Sequence, residues 1–357
     1  MEVFKSHTVL CRKPLLEVLT GRMPSRRPLW LMRQAGRYLP EYRRLRAEAG
    51  SFLQLCDTPR LACEATLQPM RRFDLDAAIV FADILLVARA LGTKLEFRDN
   101  EGPALSPVRS EEDFLRLNSK INLSDVEAVF ETISLVKRQL EDHQALIGFC
   151  GAPWTVASYM IEGGSAAERL SARKIALQRP VWFGQLVERL IEASIEYLSG
   201  QVEAGAEAIQ IFDSWAGDLP ESLFDELVFE PVRRIREGLM KRVGVIPVIG
   251  FARGIGAGHL QFGMRSGVNA VSVEPSVPLE WLAKEVCPRI SVQGNLDPVA
   301  AVVGGEVLKR AVRRITGSLP AHSHIFNLGH GIRQETAPEN IRELVETVRE
   351  ADGALIG

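Results

Sequence analysis

The sequence predicts an α/β fold, and three observations point to a single (β/α)8 barrel domain over residues 1–357. Eight short apolar runs recur along the chain, and amphipathic segments lie between most of them. The runs are apolar on both alternating faces, as in parallel strands that are buried on both sides. The first run lacks the glycine-rich turn that usually follows the first strand of an open dinucleotide-binding sheet. We therefore favour a closed barrel over a doubly wound open sheet, with the active-site cleft at the carboxyl ends of the strands.

The predicted strands share a β-branched or aromatic core and end near glycine, aspartate, serine or arginine. They are residues 28–33, 77–82, 145–150, 208–213, 245–251, 270–274, 290–294 and 324–329. Amphipathic periodicity predicts helices over residues 58–73, 124–143 and 181–204. Pro298 and Pro338 mark helix starts after the last two strands, because proline is tolerated in a first turn.

Two further segments carry turn signals. Residues 93–110 have DNEG in their middle, which predicts an inserted hairpin. Residues 151–164 contain a proline and three glycines, which predict a shaped loop after the third strand.

Composition and charge favour a cytoplasmic enzyme without a nucleic-acid or membrane partner. The chain has a net charge of −2, with 46% apolar and 25% charged residues. The amino terminus has no uninterrupted apolar region that would predict a signal peptide, and no segment predicts a membrane span. Five cysteines without a CxxC pair are typical of a reducing compartment. His322 and His324 are the only close histidine pair, and no cysteine follows at zinc-ligand spacing, so we expect no metal site.

The most distinctive charge pattern follows the first strand. Residues 21–50 contain eight arginines, no lysine and two glutamates, a local net charge of +6. The guanidinium offers a fork of donors to a carboxylate, so Arg33 and Arg37, at a strand end, predict binding of an anionic ligand. For Arg43, Arg44 and Arg46 a solvated basic face is the stronger interpretation.

Other polar residues follow the remaining strands. Asp83 ends the second strand, where it either faces a cationic intermediate or caps a helix or pairs with an arginine. Tyr159 either offers its hydroxyl to a ligand or packs in the core, and Ser214 lacks the surroundings of a nucleophile, so hydrogen bonding suits it better. His330 lies between two glycines after the eighth strand and is a candidate anion binder or proton carrier.

Six blocks of the chain resemble the signature segments of the uroporphyrinogen decarboxylase family, in family order. They are MRQAGRYLPEYR (residues 32–43), LQPMRRFDLDAAIVFADIL (67–85), GAPWTVASYMIEGG (151–164), FDSWAG (212–217), VQGNLDP (292–298) and FNLGHGI (326–332). The resemblance implies a (β/α)8 barrel, a homodimer, and conversion of uroporphyrinogen to coproporphyrinogen by loss of four acetate carboxyl groups.

The resemblance also implies the site residues. The implied substrate-binding residues are Arg33, Gln34, Ala35, Gly36, Arg37, Asp83, Tyr159, Ser214 and His330, with Arg46 as a weaker match, and the implied catalytic residues are Asp83, Arg33 and Arg37. Protonation of an electron-rich pyrrole creates its own electron sink, so no cofactor is expected. A carboxylate near the ring would stabilise the developing cation.

Two rival functions remain. Methyltransferases that act on corrinoids or thiols share the barrel, but they generally hold zinc through a His-x-Cys…Cys pattern that this chain lacks. A non-catalytic tetrapyrrole carrier would use the arginines for binding alone and would need no aspartate directed at the ring.

Overall fold

The structure, a computed structural model, describes residues 13–98 and 102–356. The amino-terminal segment from which we expect no signal peptide, with Cys11 and His7, lies mostly outside these ranges. The strands are β1 (Ala77–Ile79), β2 (Leu95–Arg98), β3 (Gly102–Leu105), β4 (Ala145–Gly151), β5 (Ala208–Asp213), β6 (Val248–Ala252), β7 (Ala270–Ser272), β8 (Ser291–Leu296) and β9 (His324–Leu328).

Seven of these strands form one curled parallel sheet in the order β1-β4-β5-β6-β7-β8-β9, so each strand pairs with the next one along the chain. The register places Ala77 opposite Ala145 at one edge and Val292 opposite His324 near the other. Strands β2 and β3 form a separate antiparallel hairpin. Helices connect consecutive parallel strands, which defines an α/β fold.

The helices occupy most of the chain between the strands. They are α1 (Pro14–Leu19), α2 (Pro40–Glu48), α3 (Phe52–Asp57), α4 (Pro59–Arg72), α5 (Leu86–Ala90), α6 (Glu111–Leu115), α7 (Glu127–Lys137), α8 (Pro153–Glu162), α9 (Leu170–Gln178), α10 (Val181–Glu203), α11 (Glu230–Val243), α12 (Gly258–Ser266), α13 (Leu279–Trp281), α14 (Pro298–Val303), α15 (Gly305–Ser318) and α16 (Pro338–Ile356). Single 3-10 turns lie at Leu123–Val126, Ala216–Asp218, Glu221–Leu223 and Ala321–Ser323, and π-helical turns at Asp225–Phe229 and Leu282–Val286.

Seven of the eight predicted strands are confirmed, and the first differs. Residues 28–33 form a single parallel bridge, between Leu29 and Phe326 of β9. The N–H of Leu29 donates to the carboxylate of Asp76 at 2.7 Å, and its carbonyl accepts the N–H of Asp76 at 2.8 Å. A side chain thus takes a hydrogen bond that a neighbouring strand would otherwise make, and regular pairing stops there.

The helix predictions hold over residues 58–73 and 181–204, but α7 ends earlier than predicted. The hairpin is confirmed in β2 and β3, although residues 99–101 of its turn lie outside the described ranges. The predicted loop over residues 151–164 is wrong, because α8 occupies most of it. Pro153 begins this helix and Gly163 ends it at φ +80°, so both turn signals mark helix ends.

A contiguous apolar core fills the space between the sheet and the helices. Inside the curl of the sheet lies a small polar layer. The Trp30 indole N–H donates to Gln293 at 2.8 Å, and Gln293 donates to Gln210 at 3.0 Å, so three separate segments meet in the interior. No helix among the described residues has the length and apolar character needed to cross a membrane.

Candidate active site

The candidate residues gather at the carboxyl end of the sheet, because the connections that leave parallel strands all emerge on one side. Asp83 follows β1, Ser214 follows β5 and His330 follows β9, while Arg33 follows the bridge at Leu29. Tyr159, on α8, follows β4 at the same end. Residues that follow the carboxyl ends of parallel strands lie at one edge of the sheet, which we call the strand-end rule. This position brings side chains from five separate segments to one surface.

Arg33 is held in an uncommon backbone conformation. Its φ is +62°, in the left-handed region that side chains rarely adopt. The backbone of Gly331 lies against the aliphatic part of Arg33, where a Cβ atom would collide with it, and Ile332 N–H donates to Met32 carbonyl at 2.9 Å. The loop after β9 thus fixes the exposed guanidinium group, although its conformation is strained.

Gln34 is buried beneath this loop. Its side-chain oxygen accepts the N–H of Leu31 at 3.0 Å, and its amide donates to the carbonyl of Ala77 at 3.1 Å. Its own carbonyl accepts the hydroxyl of Tyr38 at 2.9 Å. Because these groups are already bonded, the side chain of Gln34 supports the loop from below, and Arg33 and Arg37 stay exposed above it.

Asp83 is a half-buried carboxyl group near Arg33 and Tyr159. Its Oδ1 accepts the N–H of Leu85 at 2.8 Å, in the turn before α5; the N-cap of that helix is Leu85, and no side chain caps it. The surrounding protein disfavours its charged form and raises its pKa to about 6, although the Leu85 N–H and the positive charge of Arg33 oppose this shift. The group is therefore mostly ionised at neutral pH.

His330 is half-buried next to Gly331, which lies against the Arg33 side chain. Its Nδ1 accepts the N–H of Gly331 at 2.7 Å, so the neutral ring carries its proton on Nε2. Burial, together with the positive charges of Arg33 and Arg253, lowers the pKa of His330 to about 4. At neutral pH His330 is therefore a neutral hydrogen-bond donor, which argues against a charged anion binder.

Tyr159 packs beside Trp215, with ring centroids 6.1 Å apart. Burial raises the pKa of the Tyr159 hydroxyl, so it remains protonated and can donate a hydrogen bond at neutral pH. The Arg169 guanidinium stacks on the Trp215 ring at 3.2 Å from its centroid and donates to Asp218 at 2.8 Å. This stack fixes one wall of the site.

An aromatic floor lies between these polar groups. Phe149, Phe212 and Phe251 contact one another edge to face, with centroid separations of 5.6 and 6.4 Å, and Phe251 contacts the His330 ring at 6.3 Å. Phe212 lies two residues after Gln210 and therefore on the same interior face of the sheet. A floor of apolar rings under a cationic rim suits a ligand with an apolar centre and several carboxylates.

The sequence profile of uroporphyrinogen decarboxylase (URO-D) matches residues 11–351. The chain belongs to the uroporphyrinogen decarboxylase family. A uroporphyrinogen decarboxylase of Rhodospirillum rubrum is 48% identical over 338 residues, which cover 95% of this chain and 97% of that protein. One of Ruegeria pomeroyi is also 48% identical over 338 residues, covering 94% and 98% of the two chains.

Solved structures agree on the fold of this decarboxylase family member. A methyltransferase from Methanosarcina mazei superposes with a TM-score of 0.76 at 20% identity, covering 96% of this chain and 98% of that one. A B12-independent methionine synthase from Shewanella gives a TM-score of 0.57 at 12% identity, with 83% and 87% covered. At such identities the likeness concerns the fold alone.

The family's predicted site residues are not equally connected. Arg33 acts electrostatically on Asp83, Tyr159 and His330, and Asp83 acts on Tyr159. Among the described residues, Ser214 has no side-chain hydrogen bond to this group. Arg46, half-buried on α2, and Arg37 both act on the buried hydroxyl of Tyr42.

Arg253, which acts electrostatically on His330, was not among the residues predicted from the sequence. It directly follows β6, which is where the strand-end rule would have found it, but its segment resembles the family blocks less closely. The aromatic floor was also missed, because Phe149, Phe212 and Phe251 look like ordinary strand cores. Their position on the interior face, near the carboxyl end of each strand, is the signal that separates them.

The sequence has one close pair of histidines, His322 and His324, and the second of them lies in the protein core. His324 is fully buried, and it accepts a hydrogen bond from Arg27 on Nδ1 and donates to the Gly294 carbonyl at 2.7 Å. Over residues 13–98 and 102–356, no group of three or more histidine, cysteine, aspartate or glutamate side chains could hold a metal ion. A groove of about 510 Å³ opens at the amino ends of the strands, beside His322 and Cys287, far from the candidate site.

Proposed function

We propose that the chain is a carboxy-lyase that removes four acetate carboxyl groups of uroporphyrinogen III as CO2 and yields coproporphyrinogen III. The observation that carries this proposal is the position of Asp83. It is a mostly ionised carboxyl group beside Arg33 and Tyr159, on the side where the aromatic floor ends. Membership of the uroporphyrinogen decarboxylase family supplies the substrate class.

The chemistry uses the substrate as its own electron sink. A proton adds to a pyrrole ring carbon and gives an iminium-like cation. The bond between the acetate methylene and its carboxylate breaks, CO2 leaves, and the electron pair neutralises the cation. A second proton then converts the exocyclic methylene into methyl, and the proton that was added first leaves the ring carbon and restores the pyrrole. Two protons are taken up and one is released, so each arm consumes one proton overall and needs no cofactor.

Asp83 would accept hydrogen bonds from pyrrole N–H groups and stabilise the cation. Preorganised charge of this kind is worth most where water is displaced, and the same displacement raises the pKa of Asp83 to about 6. The free carboxylate is therefore costly in the unliganded protein and becomes favourable when the ring turns cationic.

The remaining residues would hold the substrate. Arg33 and Arg37 would bind carboxylates, and one of them would assist proton delivery. Tyr159, Ser214 and the Nε2–H of His330 would donate hydrogen bonds. Gln34 would position the loop from below, while Ala35 and Gly36, which are half-buried, let the loop backbone approach the ligand.

Anaerobic incubation with uroporphyrinogen III tests this proposal. The protein is treated with a chelator, incubated without added cofactor, and the oxidised products are separated by carboxylate number. We expect a ladder from eight to four carboxylates. Folded protein that leaves the eight-carboxylate substrate unchanged would contradict the proposal. Stoichiometric zinc in that protein would then favour the methyltransferase, and binding without CO2 release would favour the carrier.

The fold proposal is a closed (β/α)8 barrel formed by a single domain over residues 1–357. Its support is the segment at residues 28–30, which bonds to β9 through Phe326 and to the chain before β1 through Asp76. The Trp30 side chain also enters the polar interior. These contacts lie between the two edge strands of the sheet, where an eighth strand would close it.

We further propose a cytoplasmic homodimer. The four cysteines in the described ranges are buried and unpaired, as expected in a reducing compartment. The family resemblance supports the dimer. Sedimentation equilibrium tests it, with a mass of twice 39.5 kDa as the expected result.

A further inference from the structure

Arg253 has a backbone that the end of β5 and the 3-10 turn after it hold in place. Its N–H donates to the Asp213 carbonyl at 3.0 Å, and its carbonyl accepts the N–H of Gly217 at 2.9 Å. Gly217 lies so close to Gly254 that a Cβ atom on either one would collide with or crowd the other. The backbone around Arg253 is therefore held in a single conformation.

A buried acid–base pair supports the next residue. The Glu274 carboxylate, after β7, is 2.9 Å from the His259 Nε2, and both side chains are largely shielded from water. Burial opposes ionisation of Glu274, but hydrogen bonds from His259 and from the Gly254 backbone hold its pKa below the ordinary value. The pair thus fixes the turn that immediately follows Arg253.

The positive charge of Arg253 has no carboxylate partner within the described part of the chain. Its side chain is half-buried at the strand end and acts electrostatically on His330. Arg33 also acts on His330, and its side chain lies against Gly331. Arg253 follows β6, which is three strands away from β1 in the sheet, and the ring of Phe251, two residues before it, lies 6.3 Å from the His330 ring. Two cations therefore act on one neutral donor, and the second follows a strand that is not adjacent to the strand preceding Asp83.

We propose that Arg253, together with Arg33 and the Nε2–H of His330, binds one peripheral carboxylate of the substrate, remote from the reacting ring at Asp83. The inference rests on the proposed function, which supplies a polycarboxylate substrate. A carboxylate between two guanidinium groups removes their mutual repulsion and accepts charge-assisted hydrogen bonds from both. No protein carboxylate among the described residues occupies that position.

This contact forms equally in the ground state and in the transition state, because the peripheral carboxylate does not react. Its loss therefore raises KM and leaves kcat nearly unchanged. A charge-assisted hydrogen bond of ordinary strength corresponds to a change of roughly ten- to hundredfold.

The experiment compares Arg253→Gln, Arg253→Lys and the matched control Arg310→Gln. Arg310 is exposed on α15, far from the site, so its substitution removes the same charge elsewhere. Anaerobic steady-state kinetics with uroporphyrinogen III give kcat and KM. Equilibrium binding of coproporphyrinogen III, followed by tryptophan fluorescence, gives Kd without turnover. NMR of the His330 ring reports whether the neighbouring charge has gone.

For Arg253→Gln we expect KM and Kd to rise roughly ten- to hundredfold and kcat to stay within about threefold. The pKa of His330 should rise from about 4. Arg253→Lys should keep the low pKa of His330 but recover the binding only partly, since the fork of donors is lost. Arg310→Gln should match the wild type.

Wild-type KM and Kd in Arg253→Gln would overturn the inference, and so would a fall in kcat at constant KM. An unchanged His330 pKa would also overturn it, because Arg253 would then lie elsewhere. If the wild type binds coproporphyrinogen but releases no CO2, the decarboxylase proposal fails while the Kd comparison still tests Arg253.

Discussion

The arginines at the two ends of the sheet differ in what neutralises them. At the amino ends of the strands, Arg26 and Arg349 donate to Asp76 at 2.7 and 2.8 Å, and the fully buried Arg27 meets Asp352 at 3.4 Å. Each of these cations is matched by a carboxylate of the protein itself. They hold the amino-terminal segment, the start of β1 and α16 together.

At the carboxyl ends, Arg33, Arg37 and Arg253 have no carboxylate within ion-pair distance among the described residues. Asp83 interacts electrostatically with Arg33, but its surroundings raise its pKa to about 6, so it is not fully ionised at neutral pH. The arginines at the amino ends of the strands are neutralised by protein carboxylates, and those at the carboxyl ends are not. We therefore infer that a negatively charged ligand binds at the carboxyl ends. Unbalanced charge costs stability, and the ligand restores the balance.

Asp76→Ala should produce the largest effect, on stability. The carboxylate is 1% exposed and joins two arginines and the Leu29 N–H. Its loss leaves the Leu29 N–H without a partner and removes the buried partner of both arginines, which then keep only the exposed Asp74 carboxylate. We expect the free energy of unfolding in urea to fall by about 3–5 kcal/mol. Asp74 binds the same two arginines but is 51% exposed, so Asp74→Ala should cost less than about 1 kcal/mol. If both variants lost the same free energy of unfolding, burial would not distinguish the contribution of Asp76 from that of Asp74.

Asp83→Ala should produce the largest effect on the reaction and none of this loss in stability. Removing a preorganised charge partner typically lowers turnover by about 10²–10³, and we expect at least that in anaerobic assays. Asp83→Asn is the matched variant, because its amide oxygen can still accept the Leu85 N–H. Near-wild-type turnover in either variant would remove Asp83 from the mechanism.

The pH dependence of the wild type sharpens the same assignment. Because the folded pKa of Asp83 is raised to about 6, its carboxylate is lost as the pH falls through 6. We expect kcat/KM to fall about tenfold per pH unit below that point, and the slope to vanish in Asp83→Asn. A retained slope would assign it to another group.

Local patterns were sufficient for most of the sheet but not for its first segment. Residues 28–33 carry the same apolar alternation as true strands. Their pairing depends instead on the Asp76 side chain, 47 residues away, and on the left-handed φ of Arg33. Neither is encoded in a local period, so periodicity overestimates the strand.

The site shows the same limit. Asp83 and His330 could be predicted because a polar residue after a strand lies at the carboxyl end of the sheet. Residue type alone did not separate Arg26, which is paired, from Arg33, which is not, since both belong to one arginine-rich segment. Gln34 resembled a ligand contact, but its buried hydrogen bonds became apparent only in three dimensions.

Arg33→Lys tests whether the unbalanced end needs a planar fork or only a charge. Lysine keeps the charge but loses the paired donors, so we expect kcat/KM to fall by roughly ten- to hundredfold. Arg44→Lys, on the exposed side of α2, is the control and should change nothing. Full turnover with an unchanged solvent isotope effect in Arg33→Lys would count against Arg33 as a proton donor.

Asp213→Asn should produce the smallest effect and extends the comparison to carboxylates. Asp213 is 1% exposed; its Oδ1 accepts the Thr155 hydroxyl at 2.6 Å, and its Oδ2 has no partner among the described residues. Asp76 has two arginines where Asp213 has none, and burial raises the pKa of Asp213 to about 7.

Because this folded pKa exceeds the unfolded value of about 3.9, the native state binds the extra proton and wild-type stability falls as the pH rises from about 4 to 7. Asparagine does not titrate, so the stability of Asp213→Asn relative to the wild type should increase by at least about 1 kcal/mol across this window. Urea unfolding at several pH values measures the difference, with Asp297→Asn, at an exposed helix cap, as the control. If the difference in stability between Asp213→Asn and the wild type did not depend on pH, the Asp213 carboxyl group would be neutralised by a partner, as Asp76 is.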